Sequence, residues 1–268
     1  MQGHLAPPSI VTLLSHAFPE SAVVHFLHDI EIPIFAGIAI LAIVLAARAA
    51  SRNAQMVPSG IQNAAELLVD SLDQFVTGVM GPAGRKFVPF VGTLFVYILT
   101  MNLMGIVPGL HSPTSNINTT VGLAVCVFFY VQYVGISSQG FLGYLHHLSG
   151  SPNPKGIGGY LIACLSVPFN LVLHVLGEFI KPLSLSVRLF GNVFGEDALV
   201  GQMLILGVMA LSFMNSPVGL PLQFPFYLLI LLTSTIQAVV FSLLTVIYLF
   251  LMLPHHETEE HHEPITIK

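Results

Sequence analysis

The sequence predicts an all-α polytopic membrane protein, because its composition is strongly apolar and its apolar segments are long. Of the 268 residues, 54% are hydrophobic and only 8% are charged, and the mean hydropathy is +0.83. A soluble domain carries roughly 25% charged residues, so the composition excludes that class. Lys and Arg together number 8, too few for the basic face that nucleic-acid binding requires. We therefore expect membrane lipid, and no nucleic acid, around this chain.

The N-terminal part predicts a short outer segment followed by a first crossing. Residues 1–29 are mixed in polarity and contain no Lys or Arg, so they lack the charged start of a signal peptide and are expected on the outer surface. The first span is predicted from about Ile30 to Ala50, with Arg48 and Arg52 at its end. Positive charge at that end alone places the N-terminus outside.

Residues 59–80 predict an amphipathic helix and not a span. Apolar side chains recur there at helical spacing, while Glu66, Asp70 and Asp73 line the opposite face. Such a helix lies on the cytoplasmic surface or packs against other helices, and an ordinary amphipathic loop helix has the same pattern. This segment therefore adds one surface helix to the predicted fold.

Two further crossings are predicted in the middle of the chain. The second span runs from Phe87 to Val107, directly after two basic residues, and the polar turn over 108–118 contains no Lys or Arg. The third span covers about 119–136, and the loop over 137–156 carries Lys155. The positive-inside rule places the turn outside and the loop in the cytoplasm.

The apolar stretch over 157–215 is too long for one perpendicular crossing. Its roughly 59 residues extend about 88 Å as a helix, whereas a crossing needs only about 20 residues. Either it crosses twice, with Lys181 and Pro182 at a surface turn, or it is one strongly tilted helix. The segment over 220–253 is also over-long. Two adjacent over-long segments suggest a tilted helical hairpin.

Polar side chains form a stripe inside the first of these two segments, where polar groups are costly. At 100° per residue they fall within about 80° of arc and extend over about 33 Å, close to the thickness of the hydrocarbon core. The stripe is suited to a polar path whose ends approach opposite surfaces. It consists of His174, Glu178, Lys181, Arg188, Asn192 and Glu196, with Ser184 at its border.

Two interpretations of these charges are open. Glu178 and Lys181 are three residues apart and have the spacing of an ion pair that holds helices together. Arg188 has no acid three or four residues away in either direction, so it requires a partner on another chain or hydration in a cavity.

The last segment offers a facing surface with one strong polar group, Gln237. A single hydrogen bond between helices would explain that group without a conducting role. Its polar residues are Thr233, Ser234, Gln237, Thr245 and Tyr248.

Four motifs make the chain resemble subunit a of the rotary F-type ATP synthases. The most specific is KPLSLSVRLFGN over 181–192, followed downstream by IQAVVFSLLTVIYL over 236–249. MNLMGIVP over 101–108 and PTSNIN over 113–118 match in the same order. The resemblance therefore covers the second span through the last.

The resemblance implies a stator protein that carries protons past a rotating ring of subunit c. It implies about five crossings plus the surface helix, with the two over-long segments forming a tilted hairpin against the ring. The implied partners are the c-ring, the peripheral-stalk subunit b and the remaining ATP synthase subunits. The implied location is the bacterial plasma (inner) membrane, with the N-terminus outside and the C-terminus cytoplasmic. No cofactor and no enzymatic activity of its own are expected, since the chain has no phosphate-binding GxxxxGK[ST] loop.

In the terms of this family, Arg188 is the essential arginine and Gln237 is the amide facing it from the last helix. A guanidinium cannot hand its proton on, so Arg188 is a fixed positive charge. That charge favours the ionised form of an arriving ring carboxylate and repels a proton crossing directly between the two access routes. The ring must then turn for protons to pass.

The resemblance assigns the outer half-channel to Asn192 and Glu196, with Asn116 at a position where many bacterial relatives have an acid. Glu196 comes one residue sooner after Asn192 than in common bacterial forms. The position seven before Gln237, often His in bacteria, is Ile230. The outer route is therefore expected to rely on Glu196, Asp197 and water.

The inner half-channel is assigned to His174 and Glu178. His174 stands where bacterial relatives often have Glu, and a histidine titrates near neutral pH. Together with Glu196 it favours protons as the transported ion. Secondary candidates for the proton path are Lys181, Ser184, Asp197, Thr233, Ser234 and Thr245.

Other functional classes fit less well. A secondary ion-coupled transporter with a charged path inside the membrane is the main alternative. A haem or quinone protein needs paired histidines, but only His174 lies in the long apolar segments. An intramembrane protease is disfavoured because the sequence has no His-Glu-x-x-His and no Ser/His pair inside the spans. The two cysteines lie in apolar runs, which disfavours disulfides and zinc.

The transmembrane helical domain is thus expected over 30–253, followed by a tail over 254–268. The histidines of this tail suit a metal ion, but a solvated acidic cytoplasmic tail is the preferred interpretation, with no metal site.

Overall fold

The computed structural model describes residues 9–19, 22–52, 54–107, 109–148, 156–211 and 221–253. The predicted tail over 254–268 and the loop residue Lys155 lie outside these ranges. The helices of the described residues are α1 Ile10–Ala17, α2 Ala22–Asp29, α3 Glu31–Ser51, α4 Ile61–Met80, α5 Val88–Met104, α6 Ile117–Leu148, α7 Gly156–Leu211 and α8 Phe224–Met252, with 3-10 turns at Pro82–Phe87 and Pro113–Ser115.

The predicted all-α polytopic fold with about five crossings is confirmed. An α-helix pairs its backbone polar groups within itself, which is the condition for crossing a bilayer. Within the described ranges, 5 helical stretches are long and apolar enough to cross: Glu31–Ser51, Pro82–Met104, Ile117–Gly140, Pro168–Ala210 and Phe224–Met252.

Helix α4 packs against other helices through its second half. Leu72, Val76 and Met80 are buried, and the helix contacts α3, α5 and α8. At its start Ile61 remains 64% exposed, so the apolar face predicted over the whole helix is buried only where the bundle reaches it. Its acidic face supplies Asp73, which pairs with Arg85 at 3.1 Å.

Helix α6 extends well beyond the predicted end of the third span. The chain stays helical to Leu148, so the prediction of a loop from residue 137 onward is wrong over its first part. The helix changes direction at Gly140, where φ is 72° and ψ is 162°. This backbone conformation is essentially restricted to glycine. It interrupts the helix, and the chain resumes as a second helical segment in a new direction.

Two contacts fix the chain on either side of this kink. The Tyr144 ring lies against Gly135, where an added Cβ would come within 3.2 Å of it. The Gln139 side-chain amide donates to the Met252 carbonyl at 2.8 Å. Gln139, directly before the kink, therefore ties α6 to the end of α8.

Replacing Gly140 with alanine is expected to cost about 1–3 kcal/mol, because a Cβ disfavours the positive φ. Thermal unfolding of the purified protein would show it as a lower midpoint. Gly122→Ala is the matched control, since a Cβ at that position of the same helix meets nothing within 4 Å. Equal midpoints for the two variants would contradict the prediction.

Helix α7 is a single helix of 56 residues. The alternative of a surface turn at Lys181 and Pro182 is therefore wrong, because both Pro168 and Pro182 lie inside the helix. The 43-residue apolar stretch within it is about 65 Å long, roughly twice the hydrocarbon thickness, so it fits a bilayer only when strongly inclined. Packing against the 29-residue α8 gives the predicted helical hairpin.

The core lies between this hairpin and α5 and α6. Its buried apolar side chains come from each of these helices. They include Ile98, Met101, Val127, Leu185, Leu189, Val193, Phe241 and Leu249.

Candidate functional site

The polar stripe of α7 lies along the border between the buried and the exposed side of this helix. Leu185 and Leu189 are buried on one side, and Leu183 and Val187 are about half exposed on the other. The polar side chains between them can reach both the packed interior and a neighbour outside the chain. We refer to the two ends of the stripe as the His174 end and the Glu196 end.

At the His174 end, Glu178 is the centre of a hydrogen-bonded cluster. Its carboxylate is buried, accepts from the Lys181 ammonium and accepts from the Gln132 amide at 3.1 Å. The Tyr144 hydroxyl donates to the Gln132 side-chain oxygen. Burial raises the pKa of Tyr144, so its hydroxyl keeps its proton and remains a donor. The predicted contact between Glu178 and Lys181 is present.

Gln132 and Tyr144 were not among the residues predicted from the sequence. The signal for Gln132 was an amide inside an otherwise apolar span. Tyr144 gave no such signal, because the sequence does not show that the kink at Gly140 turns its hydroxyl toward α7.

A cavity of about 210 Å³ opens beside this cluster. It is lined by Leu173, His174, Gly177, Glu178 and Lys181. The His174 side chain is exposed and contacts the Asn170 carbonyl at 3.1 Å. The cavity is large enough for several waters, since one water needs about 10–15 Å³ of such space. It lies between the buried Glu178 carboxylate and the exposed His174 side chain.

In the middle of the stripe, α7 and α8 are joined by one amide pair. The Asn192 side-chain nitrogen donates to the Gln237 side-chain oxygen at 2.7 Å. Gln237 is buried, and its side-chain nitrogen has no hydrogen-bond partner among the described residues. Because its side-chain oxygen accepts from Asn192, Gln237 is hydrogen-bonded to Asn192 in this structure.

Arg188 lies one helical turn before Asn192 on α7, and its side chain is exposed. In the described part of the chain it forms no ion pair. Small exposed residues surround it: Ser184, Gly191 and Gly195. A Cβ at either glycine would meet nothing within 4 Å. The guanidinium is therefore the largest group on a face built of small side chains.

At the Glu196 end, the two consecutive acids face different neighbours. Glu196 is half-buried and faces Thr233 of α8. Asp197 is buried and faces His111, whose Nε2 lies 3.9 Å from the Asp197 Oδ2. His111 was missed by sequence reasoning, because it belongs to the turn between α5 and α6.

Asn116, which was also predicted for the outer half-channel, has a local contact here, and the position that is often His in bacterial relatives is filled by Ile230. The Asn116 side-chain oxygen accepts from the Asn118 amide at 2.9 Å, at the start of α6. Ile230 is buried and offers no titratable group. The structure thus supplies an imidazole at this end from the α5–α6 turn.

The hydroxyl candidates on α8 bond mainly to their own helix. Thr233 donates to the Leu229 carbonyl at 2.9 Å, and Thr245 donates to the Phe241 carbonyl at 2.9 Å. Ser234 is buried, and its hydroxyl has no hydrogen-bond partner within the described ranges. They line the hairpin, and within the described ranges no hydrogen bond joins them to Arg188.

These features define an ion-conducting membrane protein. A helix far longer than one crossing carries two carboxylate-containing ends, separated by a fixed cation that has no counter-ion in the described chain. Neither a packed soluble core nor a lipid-facing helix would retain such an arrangement.

Comparison with known proteins gives the family. Residues 33–250 match the family model described as "ATP synthase A chain". Among curated proteins, the ATP synthase subunit a of Protochlamydia amoebophila is 41% identical over 253 residues, which is 94% of this chain and 91% of that protein. That of Solidesulfovibrio magneticus is 39% identical over 83% of this chain and 84% of its own. That of Moorella thermoacetica is 36% identical over 75% and 80%. The chain belongs to the ATP synthase A chain family, and it is a multi-pass membrane protein.

Proposed function

We propose that this chain, the proton-channel subunit of an ATP synthase stator, transfers protons to and from the carboxylates of a rotating c-ring through two offset half-channels. The observation that carries the proposal is the position of Arg188. It is exposed, lacks a counter-ion in the described chain and lies between the two carboxylate-containing ends of one helix.

Arg188 separates the two half-channels. A ring carboxylate beside a guanidinium is favoured in its ionised form, so it releases its proton there. The same fixed charge repels a proton moving along α7 from one end to the other. Because an arginine side chain does not lose its proton in proteins, it acts as a barrier and not as a relay.

The half-channels use the two ends of the stripe. Glu196 with Asn192 and Asn116 forms the outer one, and His174 with Glu178 forms the inner one. Carboxylates and imidazole exchange protons, while amides order water between them. The cavity lined by His174 and Glu178 supports the inner assignment.

We place the chain in a bacterial plasma (inner) membrane, with its N-terminus outside and its C-terminus in the cytoplasm. Its direct partners are the c-ring and the peripheral-stalk subunit b. It requires no cofactor and no metal and catalyses no reaction alone, because the synthesis of ATP belongs to other subunits.

Proton flux through the membrane sector in vesicles tests the proposal. Replacing the ring carboxylate with an amide is expected to abolish the flux, because protons then have no carrier between the half-channels. The unaltered ring in otherwise identical vesicles is the control. Flux that persists with the amide ring would favour the alternative, an ion-coupled transporter that works without the ring.

A further inference from the structure

The turn between α5 and α6 places a histidine against a buried acid of α7. Asp197 has a side-chain exposure of 12%, and its Oδ2 atom has no hydrogen-bond partner among the described residues. The His111 Nε2 lies 3.9 Å from that oxygen, and 27% of the His111 side chain is exposed. The imidazole therefore reaches from the protein surface to the buried carboxylate.

The turn is held rigidly in this position. The Ser112 hydroxyl donates to the Met101 carbonyl at 2.9 Å and lies 2.7 Å from the Thr114 hydroxyl. The Thr114 hydroxyl donates to the Asn102 side-chain oxygen at 2.6 Å. These buried bonds fix the residues on the C-terminal side of His111 to the end of α5.

The turn is fixed on its other side as well. The Ile10 amide donates to the Gly109 carbonyl at 2.9 Å, and Gly109 has a φ of 89°. A Cβ at Gly109 would approach Ile10 within 2.8 Å, so only glycine permits this close contact. His111 is thus anchored from both directions while its ring stays partly in solvent.

We propose that His111 and Asp197 form the proton entry of the outer half-channel, with His111 passing protons between the outer aqueous phase and Asp197. This inference rests on the proposed function. His111 faces Asp197 from the α5–α6 turn, and Glu196 adjoins it on α7 itself. On the side of α5, Asp197 lies near Gly105, where an added Cβ would be 3.6 Å from it. Neither Gly105 nor Asn102, at this end of α5, carries a titratable group.

The arrangement gives consecutive acids separate tasks. Asp197 faces the turn and the outside, whereas Glu196 faces Thr233 on α8, on the side of the hairpin. A proton accepted by the His111 ring at one nitrogen leaves from the other nitrogen, so the ring returns to its neutral form. The proton then lies on Asp197, next to the acid that faces the hairpin.

The test measures ATP synthesis in vesicles of the intact complex while the pH of the outer phase is varied. His111→Gln keeps a polar side chain but removes the titratable group, and Asp197→Asn does the same for the acid. Each is expected to lower the rate about tenfold or more. In His111→Gln the dependence of the rate on outer pH should be lost, because a glutamine side chain neither binds nor releases a proton. Val107→Gln, at a position that is 49% exposed on the same turn, is the control for placing a glutamine there.

The double variant decides whether the two residues act as one unit. If they do, His111→Gln adds little to the loss already caused by Asp197→Asn. Additive losses, an unchanged rate in His111→Gln, or a lower rate with the pH dependence intact would each overturn the proposal. The amount of assembled complex and its flux through the unaltered ring are measured in parallel. Flux that still requires the ring carboxylate shows that the proposed function stands even where the His111 role fails.

Discussion

Arg188→Ala is expected to abolish ATP-driven proton pumping while the complex still assembles. Arg188 forms no ion pair within the described ranges and its side chain is exposed, so its removal leaves no buried charge unpaired. What is lost is the barrier between the half-channels. Vesicles should therefore gain a passive proton leak at the same time as they lose pumping.

Arg188→Lys separates charge from geometry. Lysine keeps a positive charge but lacks the planar group of donors and loses its proton when desolvated. We expect pumping well below that of the parent, with less leak than in the alanine variant. A fluorescent pH indicator in the vesicle lumen measures both quantities. Val187→Ala, at the neighbouring half-exposed position of α7 that lies outside the polar stripe, is the matched control. Normal pumping by Arg188→Ala would remove the basis of the mechanism.

The second large effect is expected at the ion pair of Glu178 and Lys181. Their side chains are 11% and 24% exposed, so Lys181→Met leaves a carboxylate buried without its cation. Breaking such a pair costs about 3 kcal/mol or more. Thermal unfolding of the complex in detergent should show a clearly lower midpoint for Lys181→Met. Glu178→Gln should be milder, because an amide at this position still accepts from Gln132.

Pumping should follow the opposite order. Glu178→Gln removes a titratable group of the inner half-channel and is expected to slow pumping more than Lys181→Met, compared at equal amounts of complex. Combining both changes should restore most of the lost stability, since no unpaired charge then remains, but not the pumping. If stability and pumping fell in parallel across the three variants, the pair would be structural only.

The amino-acid sequence predicts the spans well because hydrophobic length and charge placement act locally. It does not decide whether α7 is broken at Lys181 and Pro182. A proline removes the hydrogen bond to the carbonyl four residues earlier, here that of Glu178, but the helix continues when its neighbours support it. The packing of α6 and α8 against α7 supplies that support.

The candidate site shows the same limit. The stripe of α7 follows from helical spacing alone, so its members could be predicted. The contact between His111 and Asp197 depends on the path of a turn, and the link from Tyr144 to Gln132 depends on the direction of the chain after Gly140. Spacing encodes neither contact, because the first joins a turn to α7 and the second joins two parts of α6 on either side of the kink at Gly140.

The small side chains around Arg188 have a consequence for movement past this face. Ser184, Gly191 and Gly195 lie beside Arg188. A neighbouring helix can therefore approach the α7 backbone closely and meets few protruding side chains as it slides along α7. Its free-energy profile along that direction is then nearly flat, with one electrostatic well at the guanidinium. Enlarging Gly191 or Gly195 would add steric barriers to that profile and slow the movement without altering any proton-binding group.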